Sequence, residues 1–95
     1  MSYKTEFPAV YHNIPAQILA LGLDDISWGN DACPSFTVKE NAEGEPVIRL
    51  WVDAEKPEDR EYQNVPRFCI DSGDEVLLQT DDVAAVLAKI AEVRQ

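Results

Sequence analysis

The chain has 95 residues, of which 18 are acidic and 8 are basic, so its formal net charge at pH 7 is −10. A chain of this length holds one hydrophobic core, and we expect a single small domain over residues 1–95. A surface of this sign repels phosphate backbones, which argues against direct binding to nucleic acid.

The N-terminus shows no feature of a targeting segment. The sequence MSYKTEFPAV has no basic stretch leading into an apolar one, and the runs ILALGL and VAAVLA are too short to cross a bilayer. We therefore expect a cytoplasmic protein without a membrane segment, in which Cys33 and Cys69 are reduced thiols. A bridge between the two cysteines is the alternative if the chain is exported by another route.

The first third of the chain predicts one short helix and at most two strands. Residues 1–12 alternate apolar and polar side chains around Pro8, which predicts an extended arm or an edge strand. The sequence NIPAQILALGL predicts a short helix with Asn13 as its N-cap and Gly22 as its left-handed end. Residues 26–28 predict a short strand. The apolar stripe of the helix is Ile14, Ile18, Leu19 and Leu21.

The middle of the chain predicts a sheet. Residues 36–40 and the segment PVIRLWVD are separated by NAEGE, whose Asn41 and Gly44 tolerate positive φ, and this pattern predicts a β-hairpin. Both faces of the second arm carry apolar side chains, which is typical of a central strand. After a polar connection with one helical turn at Pro57, RFCI and EVLLQT predict two more strands around Gly73. The faces of the central strand are Ile48, Leu50 and Val52 against Val47, Arg49 and Trp51.

The C-terminal segment TDDVAAVLAKIAEVRQ predicts an amphipathic helix. Thr80 is the expected N-cap, and Asp81 and Asp82 in the first turn complement the helix dipole. Short connections make neighbouring strands antiparallel. We therefore expect an α+β fold, in which a meander of about four strands carries the C-terminal helix on one face, together with a short N-terminal helix. The apolar stripe of the C-terminal helix is Val83, Val86, Leu87, Ile90 and Val93.

The stretch DISWGNDACPSF contains the residue types of a reactive site. In one hypothesis Cys33 is a nucleophile, with His12 as its base and Asp31 as the orienting group. A thiolate needs an electropositive environment, however, and the sequence neighbours of Cys33 supply none. We favour a turn at Gly29 and Asn30, with Cys33 packed as a small hydrophobic residue, and we expect no catalytic site.

The sequence lacks the residue spacing that is typical of metal, cofactor and phosphate sites. One histidine and two widely separated cysteines form no zinc motif, and DSGDE has the oxygen ligands but not the spacing of a calcium loop. The four glycines are scattered and form no phosphate-binding loop. We therefore expect no metal and no cofactor.

The acidic residues fall into two segments of the sequence. If the fold brings these together, one face has a strongly negative field that can occupy the basic groove of a nucleic-acid-binding protein in place of phosphates. Phage-type inhibitors such as anti-CRISPR proteins are the kind of protein this hypothesis describes. The alternative is that both segments are solvated and keep the protein soluble. The first segment has Asp53, Glu55, Glu58, Asp59 and Glu61, and the second has Asp71, Asp74, Glu75, Asp81 and Asp82.

Aromatic residues offer a second kind of contact. Trp51 belongs to the core if the first helix covers it, and otherwise it anchors a protein partner or a homodimer. We expect Trp28 to be core. Tyr62 and Phe68 flank the charged connection and are candidates for the acidic patch.

The sequence thus predicts a small acidic interaction domain, without enzymatic activity, that regulates or inhibits a larger macromolecule. The expected partner is a protein, and in the phosphate-mimic hypothesis it is a basic nucleic-acid-binding protein. Two alternatives remain open. One is an enzyme or enzyme subunit that uses Cys33 and His12, and the other is a protein-binding module that acts through an apolar patch at Trp51.

Overall fold

A computed structural model describes residues 2–94 and shows one antiparallel sheet with the strand order β1-β2-β3-β4-β5. The fold is the predicted α+β meander with a C-terminal helix and a short N-terminal helix, and the sheet has five strands rather than about four. The strands are β1 (Asp24–Asp25), β2 (Ser35–Glu40), β3 (Pro46–Val52), β4 (Phe68–Asp71) and β5 (Val76–Thr80). The helices are α1 (Tyr3–Glu6), α2 (Ala16–Leu19) and α3 (Val83–Val93), and 3₁₀ turns span Ala9–Tyr11 and Pro57–Asp59.

The alternation of apolar residues determines the register of the sheet. Four apolar residues lie side by side across β2 to β5 on the core face, and β3 is the central strand, as its pattern predicts. The strand predicted at residues 26–28 forms instead at β1, although Ile26 N–H still donates to Ser35 O at 3.0 Å. The side-by-side residues are Phe36, Leu50, Ile70 and Leu78.

Helix α3 covers the core face of the sheet through the stripe that the sequence predicts. Val86 and Ile90 are buried, and each contributes about 1.5–3 kcal/mol if its side chain is fully removed from water. The N-cap is Asp82, not Thr80, because β5 continues through Thr80. Asp82 Oδ1 accepts the Ala84 N–H at 3.0 Å, and Thr80 Oγ1 accepts the Asp82 N–H at 3.0 Å.

The prediction of an extended arm or edge strand over residues 1–12 is wrong for the part that the structure describes. That segment contains α1, which is capped by Ser2 Oγ, and the 3₁₀ turn Ala9–Tyr11. Tyr3 and Phe7 are both buried, and their spacing of four residues is the helical period. The Tyr3 N–H donates to Asp25 Oδ2 at 2.8 Å, which attaches this segment to β1.

Helix α2 has one turn, about half of the length that the sequence predicts. Pro15 occupies its N-cap position, and Asn13 makes a long-range contact instead of a cap. In the predicted stripe, Ile14 and Ile18 are buried whereas Leu19 and Leu21 are exposed. Gly22, the predicted left-handed end, has a φ of 65°, and the turn residues Gly44 and Gly73 have φ values of 81° and 88°.

Candidate functional site

The second acidic segment is divided between the two ends of the sheet. Asp71, Asp74 and Glu75 lie at one end, whereas Asp81 and Asp82 lie at the other end with the first segment. Val52 pairs with Phe68 at one end of β3 and β4, and Arg49 pairs with Asp71 at the other, so the paired ends are about 10 Å apart along the strands. We call residues 53–67 the acidic loop, and residues 41–45 with 71–75 the hairpin end. The acidic loop contains Asp53, Glu55, Glu58, Asp59 and Glu61, and the hairpin end contains Asp71, Asp74 and Glu75. The fold therefore does not join Asp71, Asp74 and Glu75 with the acidic loop into one face.

Arg60 holds the acidic loop together from inside. Its side chain is buried, with 8% of the residue exposed, and its three guanidinium nitrogens all donate to backbone carbonyls of the loop. The acceptors are Ala54 O at 2.8 Å, Val65 O at 2.9 Å and Glu55 O at 3.1 Å. A guanidinium presents donors in a fixed planar fork, so one side chain fixes three points of an irregular loop.

The N-terminal segment and Arg67 attach the acidic loop to the rest of the protein. Tyr11 Oη donates to Asp59 O at 3.2 Å, and Asn13 Nδ2 donates to Glu55 Oε2 at 2.6 Å. Arg67 Nε donates to Asp53 O at 3.0 Å, and its other end donates to Asn13 O. These contacts involve loop residues 53–60 and 65–67, so the part of the loop that carries Glu55, Glu58 and Asp59 is ordered before any partner binds.

The exposed charged side chains of the acidic loop are mainly anionic. Arg60 and Arg67 point inward and bond to the backbone, whereas four carboxylates and Lys56 are exposed. The start of α3 adds Asp81 and Asp82 at the same end, and the Asp81 side chain stays 72% exposed although it lies 3.8 Å from Arg60 Nη1. The exposed loop carboxylates are Glu55, Glu58, Asp59 and Glu61.

Asp53 differs from the other acidic residues of the loop. It is half-buried, and burial raises its pKa, partly offset by the Ala54 N–H that donates to its Oδ1 at 2.8 Å and by Arg60 and Arg67. Its backbone N–H donates to Arg67 O at 2.8 Å. Asp53 therefore positions the start of the loop more than it presents charge to a partner.

The two aromatic residues that flank the loop differ in exposure. Tyr62 is 62% exposed, so its ring lies at the surface within the acidic loop. Phe68 is buried, with 1% exposed, and belongs to the core, so the prediction that it contributes to the acidic patch is wrong. Phe68 is the first residue of β4 and points to the core face, which removes it from the surface.

The two tryptophans differ in exposure, and Trp28 lies at the surface. Trp28 is 51% exposed and begins the turn in which the Asp31 N–H donates to its carbonyl, so the prediction that it is core is wrong. Trp51 is half-buried on the second face of the sheet, where its Nε1 donates to Asp71 Oδ2 at 3.1 Å. It lines an open groove together with the exposed Val47, close to the hairpin end.

Within residues 2–94, no hydrogen bond joins Cys33 to His12. Cys33 is buried, and burial together with the charge of Asp53 raises the pKa of its thiol. His12 Nε2 lies 2.6 Å from Phe7 O, and since a carbonyl only accepts, this nitrogen carries the proton. Both Cys33 and Cys69 are free thiols. Cys33 is therefore a buried side chain next to the turn at residues 28–31.

Two further features are absent from residues 2–94. In this range no three His, Cys, Asp or Glu side chains converge in a way that could hold a metal ion. Within the same residues, no helix has the length and apolar character needed to cross a membrane. Compared with models of protein families, with curated proteins and with solved structures, the chain matches none.

The sequence did not reveal which loop residue organises this surface. Arg60 was one charge among many in a polar connection, and its role depends on carbonyls of residues 54, 55 and 65 that approach it only in the folded loop. The exposure of Trp28 likewise follows from the turn at residues 28–31. The sequence feature that could have pointed to this role is an arginine in the middle of a long acidic connection that has a proline at each end.

Proposed function

We propose that this protein is a non-enzymatic interaction domain that binds a basic surface of a larger macromolecule through its acidic loop and thereby regulates or inhibits it. The observation that carries the proposal is the inward orientation of Arg60. This cation donates its hydrogen bonds to loop carbonyls, and its ion pair at 3.8 Å is with Asp81 and not with an exposed carboxylate of the loop. The exposed residues Glu55, Glu58, Asp59 and Glu61 then form the contact surface.

The rigidity of the loop supports a role in binding rather than in solubility alone. A solvated charge needs no fixed position, whereas a loop that is already ordered loses less conformational entropy when a partner binds. Tyr62 adds an exposed aromatic ring within the same loop, and aromatic residues are enriched at the centres of interfaces. Its ring can also lie against a Lys or Arg of the partner.

The partner class that best fits this surface is a basic, nucleic-acid-binding protein in the cytoplasm. Such a protein has a groove with a positive field that attracts phosphates, and a fixed row of carboxylates can occupy it in their place. This is the mode of action that phage-type inhibitors such as anti-CRISPR proteins illustrate. The proposal needs only the acidic loop, since the hairpin end lies at the other end of the sheet.

A second candidate function is a protein-binding module that acts through the groove at Trp51. The exposed side chain of Val47 beside Trp51 favours it. Against it, the indole N–H already has a partner in Asp71, so the ring is held within the protein. An apolar contact of this kind would persist at high salt, whereas binding through the acidic loop would weaken steeply.

The experiment uses nona-arginine as a probe for a basic groove, with binding measured by calorimetry at low and high salt. The loop variant carries Glu55→Gln, Glu58→Gln, Asp59→Asn and Glu61→Gln. The control variant removes the same number of charges at the hairpin end, by Glu43→Gln, Glu45→Gln, Asp74→Asn and Glu75→Gln.

We expect the loop variant to lose about tenfold or more in affinity, because each exposed ion pair contributes about 0.2–1 kcal/mol and four are removed. The control variant should lose less than about threefold by the same reasoning, since its charges lie outside the contact. Equal losses in the two variants would mean that only net charge matters, and the assignment to the acidic loop would be wrong.

A further inference from the structure

The outer edge of β5 is the longest unpaired edge of the sheet. β5 is the last strand in the order, so it pairs with β4 on one side only. Apart from that pairing, no backbone N–H or C=O of residues 76–80 forms a backbone hydrogen bond with any part of residues 2–94. The groups that point away from β4 are therefore free to pair with another strand.

The opposite edge of the sheet is protected in the ways that natural sheets use. β1 has two residues, and both are aspartates. The N-terminal segment lies beside it, since the Tyr3 N–H donates to Asp25 Oδ2. A short, charged and covered edge is a poor template for strand addition.

β5 is longer than β1 and uncharged, although Leu77 has no partner in β4 because the register shifts between Ile70 and Asp71. Its sequence, VLLQT, has five residues without a charge or a proline, and Val76 is 56% exposed. Helix α3 packs on the core face of the sheet through Val86 and Ile90. Long, uncharged edges of this kind are unusual in monomeric proteins and are used by domains that bind extended peptides.

The charges around β5 determine which chain it accepts. Asp74 and Glu75 precede the strand and Asp81 and Asp82 follow it, and all four are exposed. Glu75 and Asp81 are separated by six residues, which is about 20 Å in an extended strand. An uncharged edge with carboxylates on both sides complements a segment that has uncharged residues in the middle and Lys or Arg at both ends.

A second copy of this chain does not fit the same edge. If two β5 strands paired antiparallel about Leu78, Glu75 would lie opposite Asp81 and Asp74 opposite Asp82. Like charges directly opposite each other destabilise a strand pair. The bracketing carboxylates therefore disfavour a homodimer through this edge.

We propose that β5 binds an extended segment of a protein partner as a sixth strand, and that this segment has about five uncharged, β-forming residues between basic residues at both ends. Backbone hydrogen bonds from the outer edge of β5 hold the segment, and the four flanking carboxylates bind its ends. The charges are similar at both ends, so they select the composition of the segment and not its direction. The site includes Asp81 and Asp82 at the end of the sheet that carries the acidic loop, but none of the exposed loop carboxylates, and it does not depend on the function proposed for the loop.

The test uses the synthetic peptide KRVTVTVKR and two matched peptides. In one, all five central residues are N-methylated, which removes every central donor and keeps the charges. In the other, QQVTVTVQQ, the strand is kept and the charges are removed. Affinity is measured by calorimetry, and the protection of β5 amides is measured by hydrogen exchange.

We expect KRVTVTVKR to bind and to slow exchange of the outward amides in residues 76–80. The N-methylated peptide should bind about tenfold more weakly or worse, as the loss of two or more hydrogen bonds implies. QQVTVTVQQ should also bind more weakly. Equal binding of the N-methylated peptide would show that charge alone is recognised, and would overturn the proposal.

Protein variants separate this site from the acidic loop. Gln79→Lys places a positive charge on the exposed face of β5 and should weaken KRVTVTVKR binding, whereas Gln17→Lys on α2 is the matched control with no effect. The loop variant described above should bind this peptide as the unmodified protein does. Loss of binding in the loop variant alone, or a dimer that protects β5 without peptide, would contradict the proposal.

Discussion

The two ends of the sheet are both acidic, but they are built differently. At the hairpin end, tight turns keep their shape through local contacts, such as Asn41 Oδ1, which accepts the N–H groups of Glu43 at 3.0 Å and Glu45 at 2.9 Å. At the other end, the acidic loop is too long for local bonds, and Arg60 supplies its interior. The irregular acidic loop is thus ordered by Arg60, whose charged side chain is buried inside the loop.

The largest expected effect comes from removing that cation. Arg60→Leu leaves the carbonyls of Ala54, Glu55 and Val65 without their donor, and it should lower the free energy of unfolding by about 2–4 kcal/mol. Urea denaturation measures the change. Arg94→Leu, at an exposed position after α3, is the control and should change stability by less than about 0.5 kcal/mol. Similar losses in both variants would show that Arg60 does not order the loop.

A second prediction concerns the thiol that is buried near the loop. The pKa of Cys33 is raised in the folded protein, chiefly by burial and then by Asp53. Below the pKa of the unfolded thiol, about 8.5, both states are protonated and Cys33 contributes no pH dependence. Above it the unfolded state loses a proton that the folded state keeps, so stability should fall by about 1.4 kcal/mol per pH unit.

The measurement is the free energy of unfolding between pH 8 and pH 10.5, for the unmodified protein and for Cys33→Ala. The pKa values of Cys69 and Tyr11 are also raised by burial, so both proteins should lose stability in alkali, and the difference in slope isolates Cys33. Identical slopes would contradict the burial of this thiol.

The smallest expected effect is at the hairpin end. Asn41→Ala removes the acceptor for two backbone N–H groups, but the turn is exposed and water can replace it. We expect a loss of about 0.5–1.5 kcal/mol, less than for Arg60→Leu. The same denaturation experiment compares them, and a cost at Asn41 that equals the cost at Arg60 would remove the distinction between the two ends.

Much of the fold could be predicted from local patterns. The alternation in Ile48, Leu50 and Val52 defines the core face of β3, and the helical period in Val86 and Ile90 defines the buried stripe of α3. The meander also implies that consecutive connections alternate between the ends of the sheet. The separation of Asp71, Asp74 and Glu75 from the acidic loop could therefore have been derived from the predicted strand order, without any further information.

The remaining features depend on contacts between distant residues. Helix α1 is stabilised by Ser2 and by the bond from Tyr3 to Asp25, and the second of these is not visible in a local pattern. The cap expected at Asn13 is lost because its side chain bonds to Glu55 instead. The role of Arg60 likewise exists only once the loop has closed around it. Tertiary contacts override local preference at all three places.

The central claim is that the acidic loop, and not the overall negative charge, forms the binding surface. The most direct test is a titration of the ¹⁵N-labelled protein with nona-arginine, in which amide chemical shifts report the contact at each residue. The claim predicts that the shifts concentrate in residues 55–62 and disappear at high salt. Shifts that concentrate in residues 41–45 and 71–75, or that are equal at the two ends of the sheet, would contradict it.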